Sequence, residues 1–388
     1  MKIIPSIKFF IKDSRATGAV LVGCTAVSLI ASNVLPGTNY TGFWTNKFEY
    51  SFAPLHLPDS LLHAVNDVLM SVFFFFAGLE IKREVLTGEL NTFKKSLMPV
   101  ISAVGGMLLP AVIYLAWSHS RENFMGWGIP MATDIAFSLG VLSLLGKRAP
   151  LSMRIFLTAI AIIDDIGGIL TIAVFYAGHL QWTYLALAAA ATLILLGMNF
   201  FKIRSIYLYL LVGVCLWYFV YNSGVHATIA GVILAFAIPS TGIDSLERFL
   251  RVPVNFIILP LFALANTAIR FPTDLASAVT SPVCYGIFTG LVVGKPFGIF
   301  LATYIAAKSK IAEIPSNITM KQVFGIGLIA GIGFTVSIFI TVLAFSDTGM
   351  QTTAKLAVIA ASIFSGITGY YYLRLTRKKQ YGTTAPVH

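Results

Sequence analysis

Two adjacent carboxylates, Asp164 and Asp165, lie in the middle of the apolar run Phe156–Tyr176. The run is long enough to cross a bilayer, and a single ionisable group at that depth costs several kcal/mol. Two in succession therefore predict an ion or proton site. Because neighbouring residues on a helix point about 100° apart, the two side chains cannot face the same partner, and we expect two linked functions.

Three more residues suited to ion chemistry, Thr133, Asp134 and Lys295, fall in other apolar segments at similar depth. Carboxylate and hydroxyl oxygens suit a small hard cation, which Cys or His would not favour. Two alternatives stay open: Asp134 and Asp165 as hydrogen-bonding links between helices, and Lys295 as a simple counter-ion for a buried aspartate. The sequence has no HExxH, P-loop or GxSxG motif, so we expect neither an enzyme nor a bound cofactor.

The composition places these residues in a membrane. Of the 388 residues, 57% are hydrophobic and only 11% are charged, and the mean hydropathy is +0.84. These values predict an all-α polytopic membrane protein surrounded by lipid. The net charge of +11 would indicate a nucleic-acid partner only if the basic residues clustered on one surface, whereas here they separate apolar segments.

Hydropathy, with glycine, proline and charged residues as boundaries, predicts about twelve transmembrane helices in a single integral membrane domain, 1–388. The predicted spans are 16–35, 60–82, 96–117, 123–146, 151–177, 182–201, 205–222, 224–239, 253–269, 282–306, 322–345 and 353–374. An even number of spans puts both termini on one side of the membrane.

The basic residues predict which side that is. Most of the 27 lysines and arginines fall on the side of the termini, whereas Lys47, Arg121, Arg270 and Lys355 fall on the other and Lys295 lies in mid-membrane. The positive-inside rule therefore predicts that both termini are cytoplasmic.

Two of the predicted spans contain helix-breaking residues. The fourth has two glycines and Pro130 beside Asp134, and the eleventh has Gly331 and Gly333. Such residues predict discontinuous helices whose freed carbonyls and half-helix ends hold ions near the midplane. Broken segments at corresponding places in two halves indicate an inverted-repeat transporter, with spans 3–5 and 10–12 as the repeats.

Two regions lie at the membrane surfaces. Aromatic and polar residues alternate between Tyr40 and Pro58, which predicts a short extracellular hairpin that gains stability by pairing with a second copy. Glu80, Arg83 and Glu84, here called the cytoplasmic cluster, end the second span. A solvated helix end and a functional site are equally good interpretations of such a cluster.

The sequence strongly resembles the NhaA family of bacterial sodium/proton antiporters over nearly its whole length, and the TDIAF and IIDD motifs are the most specific. The matching stretches are Phe73–Glu84 (FFFFAGLEIKRE), Ala132–Gly140 (ATDIAFSLG), Ala159–Gly168 (AIAIIDDIGG), Ser223–Gly231 (SGVHATIAG), Leu259–Ala265 (LPLFALA), Gly290–Gly298 (GLVVGKPFG) and Gly331–Ile340 (GIGFTVSIFI).

This resemblance implies a secondary transporter in the bacterial cytoplasmic membrane that exports Na⁺ or Li⁺, imports protons and is electrogenic, in pH and sodium homeostasis. It implies crossed broken helices at spans 4 and 11 and a homodimer joined partly by the extracellular hairpin, about 40–58. It also implies a core bundle, about 96–177 and 282–374, and an interface panel, about 16–82 and 182–269.

By the same resemblance, Asp165 with Asp134 and Thr133 forms the cation site, and Asp164 pairs with Lys295. Two buried acids in proximity disfavour joint ionisation, so at least one holds a proton until a cation arrives. Which of Asp164, Lys295 and Asp134 carries a second proton stays open.

The resemblance also gives the cytoplasmic cluster, with Glu247, a role in the pH response. Family members can carry histidines just after that glutamate, whereas this chain has Arg248 and Arg251. Because arginine stays charged and favours ionised glutamates, we expect activity to persist to lower pH than in histidine-bearing relatives.

Two other functions fit the sequence less well. An intramembrane aspartyl protease expects YD and GxGD motifs, whereas this chain has Thr133-Asp134 and Ile163-Asp164-Asp165, and a protease has no use for a buried lysine. A sodium-coupled symporter of the same fold expects a roomy cavity for an organic substrate.

Overall fold

The computed structural model describes residues 14–34, 39–48, 56–88, 90–315 and 317–376. Those residues form helices and no strand, apart from one isolated antiparallel bridge between Lys47 and Ser60. The helices are α1 (Ser14–Asn33), α2 (Tyr40–Thr45), α3 (Leu61–Leu86), α4 (Phe93–Trp117), α5 (Arg121–Phe124, continued by a 3-10 helix over Met125–Met131), α6 (Ile135–Leu144), a 3-10 turn (Gly146–Arg148), α7 (Leu151–Phe175), α8 (Trp182–Phe200), α9 (Ile206–Asn222), α10 (Thr228–Ala237), α11 (Ser240–Asn266), α12 (Leu275–Val279), α13 (Pro282–Lys308), α14 (Met320–Ala330), α15 (Phe334–Ala344) and α16 (Thr348–Leu375).

Eight helices in the described part of the chain are long and apolar enough to cross a membrane, and two bent helix pairs raise the number to ten. The all-α membrane-protein prediction is therefore confirmed. The other two predicted spans coincide with α9 and α10, which have 17 and 10 residues and are short for a bilayer crossing. The count of twelve spans stays a prediction.

The two bent pairs lie where glycine and proline predicted broken helices. α5 and α6 meet at 44°, with Pro130 in the last 3-10 turn, and α14 and α15 meet at 49° around Gly331 and Gly333. A Cβ on Gly331 would lie 2.5 Å from the carbonyl oxygen of Leu291, so no larger residue fits there. The crossed arrangement of the two pairs stays a prediction.

Close glycine contacts bring the long helices around α7 together. α13 packs along α4, where a Cβ on Gly298 would lie 2.2 Å from the Gly105 carbonyl oxygen, and Ser102 and Thr303 hydroxyls meet at 2.7 Å. α3 packs along α10 in the same manner. The division into a core bundle and an interface panel stays a prediction.

The predicted extracellular hairpin begins with a helix instead of a strand. α2 starts where the Asn39 side chain accepts a hydrogen bond from the Gly42 amide (3.1 Å), and Tyr40 stacks edge-on against the buried Trp44 one turn later. Residues 49–55, which carry most of the aromatic alternation, lie outside the described residues. The hairpin predicted over about 40–58 is therefore wrong for residues 40–45, which are helical, and stays a prediction for the rest.

Candidate functional site

Asp164 and Asp165 lie halfway along α7, with 1% and 7% of their surfaces exposed. The apolar residues around them make α7 a membrane helix. Because successive residues on a helix point about 100° apart, the two carboxylates face different neighbours. Asp164 Oδ2 accepts hydrogen bonds from Lys295 Nζ (2.7 Å) and from Thr133 Oγ1 (2.8 Å). The structure therefore brings together three of the residues that the sequence singled out.

Lys295 is fully buried and directly follows the π-helical segment Gly290–Gly294 of α13. Its ammonium also donates to the carbonyl oxygen of Met131, at the end of the 3-10 helix. Because an unpaired buried charge is strongly destabilising, Asp164 and Lys295 depend on each other. Lys295 thus connects α7, α13 and the first broken helix at one point.

Asp165 differs from its neighbour because no basic side chain in the described part of the chain forms an ion pair with it. Among the described residues no protein group donates to Asp165 Oδ1, nor to Asp164 Oδ1. The charges of Asp164, Asp134 and Glu80 all act on Asp165. Since an ionised carboxylate accepts about four hydrogen bonds, both groups keep acceptor capacity that a proton or a hard cation can use.

Asp134 connects the two broken helices. It begins α6, where its Oδ1 accepts from the Phe137 amide at 2.9 Å. Its Oδ2 accepts from both the amide (3.1 Å) and the hydroxyl (2.6 Å) of Thr335, in the first turn of α15. Its own amide donates to the Ile332 carbonyl at 2.7 Å. The carboxylate therefore neutralises the positive ends of two half-helices.

Thr133 lies between the site and the end of α14. Its hydroxyl is 2.8 Å from Asp164 Oδ2 and 2.9 Å from the Ala330 carbonyl oxygen. A hydroxyl has one hydrogen to donate, so these two acceptors share or compete for it. A change in the charge of Asp164 therefore alters a contact to the second break.

Thr335 and Ser337 are site residues that the sequence analysis did not assign. Thr335 holds Asp134, and Ser337 Oγ donates to the Ile129 carbonyl at 2.7 Å, so both link the second broken helix to the first. A threonine at the start of a half-helix is a recognisable signal. The acceptor of its hydrogen bond lies on a distant segment and cannot be recognised from the sequence.

Near the end of α3, Glu247 is 1% exposed and accepts hydrogen bonds from two arginines. Arg83 donates to both of its oxygens (2.6 and 2.5 Å) and also to Glu84 (2.9 Å), and Arg251 donates to Glu247. Arg248 instead donates to a backbone carbonyl of its own helix at 3.0 Å. Of the two arginines that replace histidine, only Arg251 faces Glu247.

Glu80 interacts with both groups of charges. It is half-buried on α3, and it interacts electrostatically with Glu247 and Arg83 and also with Asp165. The cytoplasmic cluster and the membrane carboxylates are therefore electrostatic neighbours.

Comparisons with known proteins agree over the whole chain. The family described as Na⁺/H⁺ antiporter 1 matches residues 8–373. The Na⁺/H⁺ antiporter NhaA of Cytophaga hutchinsonii is 46% identical over 385 residues, covering 98% of this chain and 97% of the relative. NhaA of Flavobacterium psychrophilum is 44% identical over 384 residues, covering 97% of this chain and 98% of the relative.

A third relative, antiporter NhaA 2 of Flavobacterium johnsoniae, is 43% identical over 378 residues, covering 96% of this chain and 93% of the relative. The family resemblance carried by the motifs is thereby confirmed, and the family consists of transporters rather than enzymes. The chain belongs to the NhaA family of Na⁺/H⁺ antiporters.

Proposed function

We propose that this protein exchanges cytoplasmic Na⁺ or Li⁺ for external protons, that the exchange is electrogenic, and that it serves pH and sodium homeostasis. The observation that carries the proposal is Asp165, a buried carboxylate with an oxygen that no described protein group donates to, beside Asp164 and its partner Lys295. Family membership supports Na⁺/H⁺ exchange itself.

In the proposed mechanism, Na⁺ and protons compete for the same carboxylate oxygens. Lys295 offsets one negative charge, so the second acid holds a proton until a cation arrives to replace it. Electrogenic exchange requires that each Na⁺ displace more than one proton, the second one being carried by Asp164, Lys295 or Asp134. Asp165 supplies the main ligand, with Asp134 and Thr133 beside it. Asp134 already accepts three hydrogen bonds, and a carboxylate offers about four acceptor positions, so it has room for about one further contact.

The pair of Asp164 and Lys295 transmits this exchange to the backbone. A cation at Asp165 changes the electrostatic field at Asp164 and so the balance of Lys295 between Asp164 and the Met131 carbonyl. Since Met131 ends the first half of a broken helix, its position then depends on the charge at the site. Movement of one helix bundle against the other around a fixed site would give alternating access.

The transported ions are cargo, and the proposal requires no cofactor. We place the protein in the bacterial cytoplasmic membrane with twelve spans, both termini cytoplasmic, because its basic residues concentrate on that side. Cysteines introduced at positions 3 and 46 should react with an impermeant maleimide from opposite sides. Labelling of both from one side would contradict this orientation.

We also propose a homodimer joined partly through the 40–58 segment, since the two-stranded ribbon predicted after helix α2 would be marginal alone. Removing the segment should give active monomers, detected by light scattering in detergent. A dimer that survives the deletion would contradict this role of the segment.

A symporter of the same fold would need room for an organic substrate at the carboxylates. A cavity of about 600 Å³ does lie between the start of α13 and the start of α16, lined by Arg270, Asp274 and Asp347 among others. No residue of the candidate cation site lines it. Its position therefore does not favour symport.

The test uses everted membrane vesicles with an acidified interior. Addition of Na⁺ or Li⁺ should dissipate the pH gradient in vesicles that contain this protein and not in vesicles without it. An unchanged gradient at saturating Na⁺ between pH 6.5 and 9 would contradict the proposed exchange.

A further inference from the structure

The segment 123–131, from the end of α5 through the 3-10 helix, is held by side chains from other helices, and we refer to it as the suspended segment. Four of its carbonyl oxygens accept hydrogen bonds from four different elements. Tyr114 Oη donates to Asn123 (2.7 Å), Tyr176 Oη to Met125 (2.6 Å), Ser337 Oγ to Ile129 (2.7 Å) and Lys295 Nζ to Met131.

The sequence of the segment explains why its carbonyls are available. The 3-10 helix ends at Met131 and the backbone is extended at Ala132, so the carbonyls of its last turn, such as those of Ile129 and Met131, have no continuing helix to donate to them. Gly126 and Gly128 make room for the donors, because a Cβ at these positions would lie 2.1 Å from Tyr114 Oη and 2.8 Å from Tyr176 Oη. The two glycines thus provide the space that the two tyrosine hydroxyls occupy.

The four donors differ in charge. Lys295 is charged and shared with Asp164, so its hold on Met131 depends on the ionic state of the site. The other three are neutral hydroxyls of buried residues, and their hold does not depend on that charge. Because displacement of the segment would break these hydrogen bonds, each hydroxyl opposes it.

We infer that Tyr114, Tyr176 and Ser337 are positioning residues for ion exchange, which hold the suspended segment so that its carboxyl-terminal end meets Lys295 and Asp164. The inference rests on the proposed function. The three hydroxyls keep the segment in place while Lys295 responds to the charge of the site. Without them, Thr133 and Asp134, which directly follow the segment, would be displaced from the cation.

The experiment measures Na⁺-dependent proton movement in proteoliposomes containing Tyr114→Phe, Tyr176→Phe or Ser337→Ala. Each variant should raise the apparent KM for Na⁺ roughly tenfold, the effect of one buried hydrogen bond, while Vmax per folded protein is retained. Matched controls are Tyr209→Phe and Ser362→Ala, which remove buried hydroxyls that have no hydrogen-bond partner among the described residues. Both controls should keep the KM of the unmodified protein.

An unchanged KM in the three variants, or a lower Vmax at constant KM, would overturn the inference and leave the hydroxyls a role in stability alone. Ser337→Ala removes a single oxygen atom, so it decides the question even if a tyrosine variant is not recovered folded. Absence of Na⁺-driven proton movement in the unmodified protein would instead refute the proposed function.

Discussion

The buried carboxylates of this protein occur in two places, which differ in how many hydrogen-bond donors surround the carboxylate oxygens. Glu247, on α11, accepts from Arg83 with both oxygens and from Arg251 as well. Asp164 pairs with one ammonium, Asp165 has no ion pair among the described residues, and each keeps an oxygen to which no described group donates. A saturated carboxylate leaves little room for an ion, whereas an unsaturated one can exchange ligands.

The basic residues that pair with these carboxylates also differ, in whether their charge can change. Arginine stays protonated in proteins, so the charge around Glu247 is fixed. A buried lysine can give up or regain a proton, so the charge around Asp164 can change during a transport cycle. We therefore propose that ion exchange takes place at the membrane carboxylates and that the charges around Glu247 shape the electrostatic field in which it occurs.

The largest effect is expected from Asp165→Asn, which keeps the shape of the side chain and removes the charge that binds the cation. Exchange in everted vesicles should fall by about 100-fold or more, with normal membrane insertion. Glu247→Gln is the matched control, and it should retain exchange at saturating Na⁺. Equal losses in the two variants would remove the distinction between the two carboxylates.

Lys295→Met should have the next largest effect, because it leaves Asp164 buried without its counter-ion. Breaking a buried pair costs about 3–5 kcal/mol of stability, and much of that loss should return in the double variant Asp164→Asn/Lys295→Met. Thermal unfolding in detergent measures both variants. Exchange should fall in a graded manner, so complete inactivity with unchanged stability would make Lys295 an obligatory proton carrier instead.

Arg251→His should have a moderate effect on the pH profile, and Arg248→His almost none. Histidine loses its charge as the pH rises through about 6.5, so the variant would keep the ion pair to Glu247 in acid and lose it in alkali. The profile of exchange at saturating Na⁺ should therefore move upward by roughly half a pH unit. Equal shifts in the two variants would mean that contact with Glu247 is irrelevant.

The smallest effect is expected at an exposed ion pair just before α3. Lys47 (2.9 Å) and His63 hold the pKa of the Asp59 carboxyl below its usual value. A lowered pKa contributes stability at neutral pH that is lost as the pH falls through the folded-state value. Because the pair is exposed, Asp59→Asn should lower stability by less than about 1 kcal/mol at pH 7, and the difference should vanish in acid. A larger loss would show that exposed pairs matter here as much as buried ones.

The sequence was sufficient for the parts of the site that residue type determines. Adjacent aspartates in an apolar run indicated Asp164 and Asp165, glycine and proline indicated the two bends, and the family resemblance paired Asp164 with Lys295. These features depend on the cost of charge in a membrane and on backbone preferences, both of which are local.

Contacts to backbone carbonyls could not be predicted in the same way. The hydroxyl of Tyr176 donates to the Met125 carbonyl, and the ammonium of Lys295 donates to the Met131 carbonyl. The methionine side chains do not indicate that their backbone carbonyls accept these hydrogen bonds. The helix at Tyr40–Thr45 was also missed, because an asparagine cap and an aromatic pair one turn apart outweighed the alternation that follows. Arg248 and Arg251 looked equivalent until helix α11 placed only one of them beside Glu247.

The most direct test of the difference between the two acidic groups is proton release by the purified protein when Na⁺ is added in weakly buffered detergent solution. The unmodified protein and Glu247→Gln should release protons at alkaline pH, and Asp165→Asn should release none. Normal release from Asp165→Asn, or its loss in Glu247→Gln with intact fold, would contradict the assignment of ion exchange to the unsaturated membrane carboxylates.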